Sequence, residues 1–169
     1  TQEYAFELAQ KGIPEGALVV AEEQIRGRGR RGRSYFSPRG GIWFSVLLRP
    51  PLSPRLAPVI NLAAGIALAE VVSEMGLQSI VLRWPNDVLI GGKKLSGILS
   101  EMSAEPDQLN FVILGMGINA NIDMDSFPEE LKPLATSLGL ELGKRVDRVD
   151  ILCKVLKKME KYYGLLLEK

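Results

Sequence analysis

Hydrophobic residues recur along this chain with two different periods, and these periods predict its helices and strands. A helical period is clearest over residues 55–75 and ends before Gly76. Its apolar positions are Leu56, Val59, Ile60, Ala63, Ile66, Ala67, Val71 and Met75. Further helices are predicted over 2–11 and from Asp150 onward. Residues 123–146 are rich in proline, glycine and charge, which favours a loop with short helical turns.

Short apolar runs between the helical segments predict strands. These runs are residues 17–23, 42–48, 80–84, 88–90, 95–101 and 111–114. Gly91-Gly92 between two of the runs predicts a hairpin. Helices that flank a strand-rich middle indicate an α+β fold, a mixed β-sheet with flanking helices. A doubly wound sheet is disfavoured because too few helices separate the strands.

Composition then narrows the classes of function. The 169 residues are 46% hydrophobic, which suits one globular domain with a substantial core. No apolar run reaches bilayer-spanning length and no signal pattern opens the chain, so a cytoplasmic location without membrane contact is expected. The single cysteine, Cys153, excludes an internal disulfide and a multi-cysteine zinc site, and is predicted to be a small core residue of the last helix.

The chain contains no histidine, which excludes histidine-based triads and histidine metal ligands. Any metal is therefore expected to be a hard ion held by oxygen, namely Mg2+ accompanying a nucleotide, and no protein metal site is predicted.

The arginine loop, residues 26–33, holds five arginines and three glycines and no acidic residue. Without these five arginines the chain has 16 basic and 20 acidic residues, so the positive charge is local. A nucleic-acid binder usually spreads its basic residues over a face, whereas this distribution favours a pocket for one anionic ligand. Glycine permits close backbone approach and arginine supplies bidentate donors for phosphate or carboxylate. A solvated basic loop and a short RNA-binding segment are the alternatives.

Three further segments carry polar groups at strand ends. Residues 83–87, Arg-Trp-Pro-Asn-Asp, interrupt the sheet because proline lacks a ladder donor. Lys94 enters the strand after the hairpin, and Gly97 within that strand indicates close approach by a ligand or another backbone. Asn119 ends the segment 115–119, where a strand ending in a turn is the alternative reading.

Taken in order, the arginine loop with Gln24, then Trp84-Pro85-Asn86-Asp87, then residues 94–99, then Gly117-Ile118-Asn119, resemble the biotin protein ligase family. The resemblance covers nearly the whole chain. It implies a class II aminoacyl-tRNA synthetase-like catalytic domain over residues 1–169. It also implies the activity of a biotin–[acetyl-CoA-carboxylase] ligase, which forms biotinyl-5′-AMP from biotin and ATP and transfers biotin to a lysine of the biotin carboxyl carrier protein.

The resemblance also implies roles for individual residues. Contacts to biotin or the adenylate are expected from Thr1, Gln2, Gln24, Arg28, Gly29, Arg30, Tyr35, Trp84, Asn86, Lys94, Gly97 and Asn119. Tyr35 is expected to stack on adenine and Asn119 to contact it. Arg30 and Lys94 are expected to stabilise phosphate charge, and Asp87 is expected to orient or accept the proton of the carrier lysine.

The chain departs from the family pattern at several points. The serine that usually precedes Thr1 is missing, and Arg83 replaces the more usual lysine, which changes donor geometry. Neither an N-terminal DNA-binding domain nor a C-terminal β-barrel domain is expected, and hence no repressor function. A homodimer formed through the apolar strand 42–48 is a further expectation, with a plain core strand as its alternative.

Three rival functions stay open on the sequence. A lipoate–protein ligase shares the fold and the adenylation step. A small RNA-binding module would use the arginine loop without ATP. A non-catalytic remnant would bind biotin without turnover.

Overall fold

The computed structural model describes residues 1–168, which form a six-stranded sheet with helices on both faces. In chain order the elements are α1 (Gln2–Gln10), β1 (Leu18–Ala21), β2 (Ile42–Leu48), α2 (Ala57–Glu74), β3 (Ile80–Arg83), β4 (Asp87–Ile90), β5 (Lys93–Ala104), β6 (Leu109–Ile118), α3 (Leu138–Leu142) and α4 (Arg148–Leu167). Strand order is β1-β2-β6-β5-β4-β3 and all five pairings are antiparallel. The α+β class is confirmed, while the parallel part of the expected mixed sheet shrinks to one isolated bridge, Lys94 with Ala135.

Most predicted elements are confirmed, with differences at their ends. Gly91 and Gly92 have φ of 55° and 83°, the left-handed values that a two-residue hairpin turn needs. Strand β6 extends beyond the predicted run 111–114 and continues to Ile118 through Gly115 and Gly117. The glycines fit there because ladder bonds to β2 and β5 hold the backbone on both sides.

Two faces of the sheet bury different elements. The helix face, covered by α2 and α4, carries the main apolar cluster, which includes Phe44, Ile98, Met116 and Ile118. The site face carries α1 at one end, packed on Leu47, Phe111 and Ile113. Side chains alternate between the faces along each strand, so neighbours in sequence serve different surfaces.

Strand β2 lies between β1 and β6, and all seven of its residues are buried. Its six apolar residues are covered on both faces, with Phe44 towards the helices and Trp43 and Leu47 towards the site face. An inner strand offers no free edge, so this strand cannot be the edge through which two copies pair.

Helix α4 is capped at its N-terminus by Asp147, whose carboxylate accepts from the backbone N–H groups of Val149 and Asp150. Cys153 lies in this helix as expected, but the prediction that it is a core residue is wrong. Its side chain is exposed because Ile151, Val155 and Met159 form the buried stripe of the helix.

Within the described residues one helical stretch, Pro54–Glu74, is long and apolar enough to cross a membrane, with a mean hydropathy of 1.8. By the criteria of length and composition alone, the expectation that no apolar run is long enough to span a bilayer is therefore wrong. Half of the stretch is buried inside the fold, because α2 packs against both the sheet and α4 in the main apolar cluster.

Candidate functional site

Three glycines form the floor of the candidate site. Gly97 pairs with Gly117 across β5 and β6, and Gly115 lies two residues before Gly117 on the same face. A Cβ atom at Gly97 or Gly117 would lie 2.7 Å from the Tyr35 ring, and one at Gly115 would lie 2.3 Å from Gln2 Oε1. Glycine at 97 and 117 therefore leaves the room that the Tyr35 ring occupies, and glycine at 115 leaves room for the end of the Gln2 side chain.

Tyr35 is fixed on this floor by contacts on several sides. Its hydroxyl donates to Gly117 O at 3.1 Å, and its ring meets Trp43 edge-on at 6.0 Å between centroids. The Lys94 ammonium lies 5.3 Å from the centre of the Tyr35 ring. Burial raises the pKa of the Tyr35 phenol above its ordinary value, so the group is a neutral donor at physiological pH.

A chain of hydrogen bonds lines the end of the site nearest α1. Ser45 Oγ donates to Thr1 Oγ1 at 2.8 Å, and Thr1 Oγ1 donates to Gln24 Oε1 at 3.1 Å. Gln24 Nε2 donates to Ser37 Oγ at 3.1 Å, whose hydroxyl donates to Tyr35 O at 3.0 Å. These bonds connect the N-cap of α1, strand β2 and the segments on either side of the arginine loop, so the polar wall is preorganised.

The arginine loop folds back on itself over the floor. Arg28 and Ser34 form an antiparallel bridge, and Tyr35 N donates to Gly27 O at 2.9 Å. A Cβ at Gly27 would lie 2.2 Å from Tyr35 O, which explains a glycine at the base of the loop. Arg28 faces Glu3 of α1 at 3.3 Å and Glu101 of β5 at 4.0 Å.

Lys94, Asp87 and Arg83 form a charged cluster at the opposite end of the site. Lys94 Nζ lies 2.7 Å from Asp87 Oδ1, where the two groups form an ion pair whose angles do not meet those of a hydrogen bond. Arg83 Nη2 lies 2.5 Å from Asp87 Oδ2. Burial of the Asp87 carboxyl acts to raise its pKa, but Arg83 and Lys94 together outweigh burial and hold the pKa below its ordinary value.

Asn86 closes the break in the sheet between β3 and β4. Its side-chain Nδ2 donates to Ile98 O at 3.1 Å, and its backbone O accepts from Ile98 N at 2.8 Å. Arg30 Nη1 reaches Asn86 Oδ1 at 3.5 Å, a long contact that brings the loop tip to this turn. The loop and the turn therefore meet across the floor.

Together these parts enclose a cavity of about 400 Å3. Of the residues expected at the site, it is lined by Thr1, Gln2, Gln24, Arg28, Gly29, Arg30, Tyr35, Asn86, Asp87, Lys94 and Gly97. Its other charged residues are Arg26, Arg31, Arg33 and Glu3, so cations outnumber carboxylates on its walls. A cavity of this size and charge suits a ligand with an anionic centre.

Two expected residues do not line this cavity. Trp84 is 67% exposed and lies over a smaller depression beside α2. Asn119 is buried, and its Nδ2 donates to Thr136 O at 2.9 Å and to Lys94 O at 3.3 Å. The observed contacts of Asn119 thus hold the backbone that carries Lys94. Their contacts to a bound ligand stay predictions.

Sequence reasoning did not single out Ser37, Ser45, Trp43 or Gly115 as site residues. The two serines are small polar residues in apolar or turn surroundings and gave no periodic signal. Gly115 and Gly117, two residues apart inside a strand, place bare backbone twice on one face. That spacing is the sequence feature from which a glycine floor could have been predicted.

The described residues do not fit a metal cage of their own. No group of three or more histidine, cysteine, aspartate or glutamate side chains lies close enough to hold an ion within residues 1–168. Asp87 in the cavity is already shared by two cations.

Fold and site together define an α+β protein with a cation-lined cavity between a glycine-floored antiparallel sheet and an arginine loop. Comparison with known proteins makes this specific. Residues 1–119 match the Biotin/lipoate A/B protein ligase family, and the chain belongs to that family.

Individual relatives agree with this assignment. The chain is 46% identical over 165 residues to the bifunctional ligase/repressor BirA of Bacillus spizizenii. The aligned region covers 96% of this chain and 50% of that protein. It is 40% identical over 152 residues to the biotin–[acetyl-CoA-carboxylase] ligase of Mycobacterium tuberculosis, covering 86% of this chain and 53% of that protein. The chain thus spans about half the length of these curated relatives.

A solved structure gives the same result. The biotin protein ligase of Aquifex aeolicus in complex with biotin and ATP superposes with a TM-score of 0.82 at 36% identity. The match covers 98% of this chain and 68% of that one. The fold is therefore the class II aminoacyl-tRNA synthetase-like fold of biotin protein ligase catalytic domains.

Proposed function

We propose that this chain is the catalytic domain of a biotin–[acetyl-CoA-carboxylase] ligase and activates biotin with ATP. In the first step the biotin carboxylate attacks the α-phosphate of ATP, a new P–O bond forms, and pyrophosphate leaves. In the second step a lysine amine of the biotin carboxyl carrier protein attacks the carboxyl carbon of biotinyl-5′-AMP, and AMP leaves. The observation that carries the proposal is the convergence of Lys94 and the loop arginines over the glycine floor.

The residues of the cavity suit the first step. A carboxylate is already ionised at pH 7, so adenylation needs charge stabilisation rather than a base. Lys94 and Arg30 both line the cavity, and each can face phosphate oxygens. The polar wall of Thr1 and Gln24 is suited to the neutral polar end of a ligand.

Asp87 serves this chemistry by position. A carboxylate whose pKa is held low by two cations is a weak proton acceptor. We therefore favour the orienting role of Asp87 over its role as the base for the carrier lysine.

The test is biotin-dependent exchange of labelled pyrophosphate into ATP. Lys94→Ala and Arg30→Ala are each expected to lower exchange by about 100-fold, the usual loss when one charge-stabilising donor is removed. Lys93→Ala is the matched control because its side chain is exposed beside Lys94 and outside the cavity. It should exchange like the unsubstituted chain.

Other results would contradict the proposal. Exchange that depends on lipoate and not on biotin would show a lipoate-type ligase. RNA binding without any exchange would support the RNA-binding module. Biotin binding without exchange would indicate a remnant. Equal losses in Lys94→Ala and Lys93→Ala would remove Lys94 from the chemistry.

Further parts of the proposal rest on chemistry alone. Mg2+ is expected only as the ion that ATP carries on its phosphates, because the described residues contain no cluster of three or more carboxylate, histidine or cysteine side chains that could hold it. A cytoplasmic location and a homodimer stay predictions. If two copies joined their sheets edge to edge through backbone hydrogen bonds, the pairing strand would have to be an outer strand, β1 or β3, since β2 is internal.

A further inference from the structure

The Asp87 carboxylate is shared between two cations, one on each oxygen. Lys94 approaches Oδ1 from inside the cavity and Arg83 approaches Oδ2 from the outer strand β3. Arg83 is the cross-strand partner of Asp87, so the sheet register fixes the two residues side by side. Arg83 itself does not line the cavity, and its side chain is 58% exposed against 12% for Asp87.

The charges of this cluster decide what an anion in the cavity experiences. Lys94 and Asp87 alone form a pair without net charge, and a phosphate beside them would meet repulsion from the carboxylate. With Arg83 the three residues carry a net positive charge. The outer guanidinium neutralises the carboxylate, and the ammonium is left to face the ligand.

We propose that Arg83 is a positioning residue for the ligand phosphate: it holds Asp87 from outside, so that Asp87 orients Lys94 without cancelling its charge. This inference rests on the proposed function, since it deepens the role of the same site. Arg83 acts through Asp87, which predicts that its contribution exists only when Asp87 is charged.

A double-mutant cycle tests that dependence. Binding of inorganic tripolyphosphate is measured by calorimetry for Arg83→Gln, Asp87→Asn and the double variant, with the KM for ATP in the exchange reaction as a second readout. Arg83→Gln should weaken tripolyphosphate binding by about fivefold, the upper range for an exposed ion pair. In the Asp87→Asn background the same substitution should change binding by less than about twofold.

Two controls separate charge sharing from other effects. Arg83→Lys keeps the charge and should restore most of the binding. Arg55→Gln removes one exposed arginine that does not line the cavity and should leave binding unchanged. Thermal unfolding of each variant shows that losses belong to folded protein.

Each outcome bears on the inference. Equal losses in both backgrounds, or no loss in either, would overturn it, as would failure of the unsubstituted chain to bind tripolyphosphate. If the effect of Arg83→Gln on tripolyphosphate binding depends on Asp87 but no biotin-dependent exchange occurs, the role of Arg83 is supported and the ligase function is rejected. If exchange is normal but the two substitutions act additively on binding, the ligase function is supported and the role of Arg83 is rejected.

Discussion

The helix face and the site face of the sheet are built from neighbouring residues of the same strands, yet they differ in what they bury. Ile98, Met116 and Ile118 fill the helix face against α2 and α4. Gly97 and Gly117, each one residue earlier than Ile98 and Ile118, leave the site face bare for Tyr35. One face contributes apolar burial, and the other gives up burial to keep room for a ligand. Stability and function can therefore be perturbed separately at adjacent positions.

The largest effect on stability is expected from Ile118→Ala on the helix face. Ile118 is fully buried in the main cluster, so truncation leaves a cavity that the sheet and helices cannot close. The free energy of unfolding should fall by about 3 kcal/mol in urea titrations. Exchange activity per folded molecule should change by less than about twofold, because the floor is untouched. A stability loss below about 1 kcal/mol would show that this face is loosely packed.

A smaller effect on stability, with a larger one on activity, is expected from Gly117→Ala on the site face. The added Cβ would lie 2.7 Å from the Tyr35 ring and 3.1 Å from the Trp43 ring, so both rings must shift. Overpacking of this kind lowers the free energy of unfolding by about 1–2 kcal/mol. Exchange should fall by about tenfold as Tyr35 moves into the cavity.

Gly164→Ala in α4 is the matched control for that substitution. A Cβ there meets no atom within 4 Å, and helix propensity favours alanine. It should leave exchange unchanged and raise stability slightly. Unchanged activity in Gly117→Ala would contradict the view that bare backbone on the site face serves the ligand.

The helix face was the more predictable of the two from sequence. The period of residues 55–75 yielded α2, and the Gly91-Gly92 turn yielded the β4–β5 hairpin, because hydrophobic spacing and turn chemistry are local properties. Strand pairing is not local. The antiparallel order of the whole sheet and the internal position of β2 depend on contacts between distant segments.

The site face was predictable in its members but not in their arrangement. The arginine loop, Lys94 and Asp87 were all expected in one site, and the cavity brings them together. The pairing of Asp87 with Arg83 was not foreseen, because it depends on the register of β3 against β4. Trp84 and Asn119 lie outside the cavity for a similar reason, since motif membership does not fix side-chain direction.

The smallest expected effect is a pH dependence of stability, which Asp87 at the site has and the apolar helix face does not have. The pKa of Asp87 is held low in the folded state, so its stabilising contribution is complete above the pKa of an unfolded aspartate, about 3.9. The contribution is lost as the pH falls through the lower folded-state pKa. The stability difference between the unsubstituted chain and Asp87→Asn should therefore be constant from about pH 5 to 7 and shrink below about pH 4. Ile118→Ala, which removes no titrating group, should show the same loss at every pH. A difference for Asp87→Asn that grows on acidification would mean that burial, and not Arg83 and Lys94, controls this carboxylate.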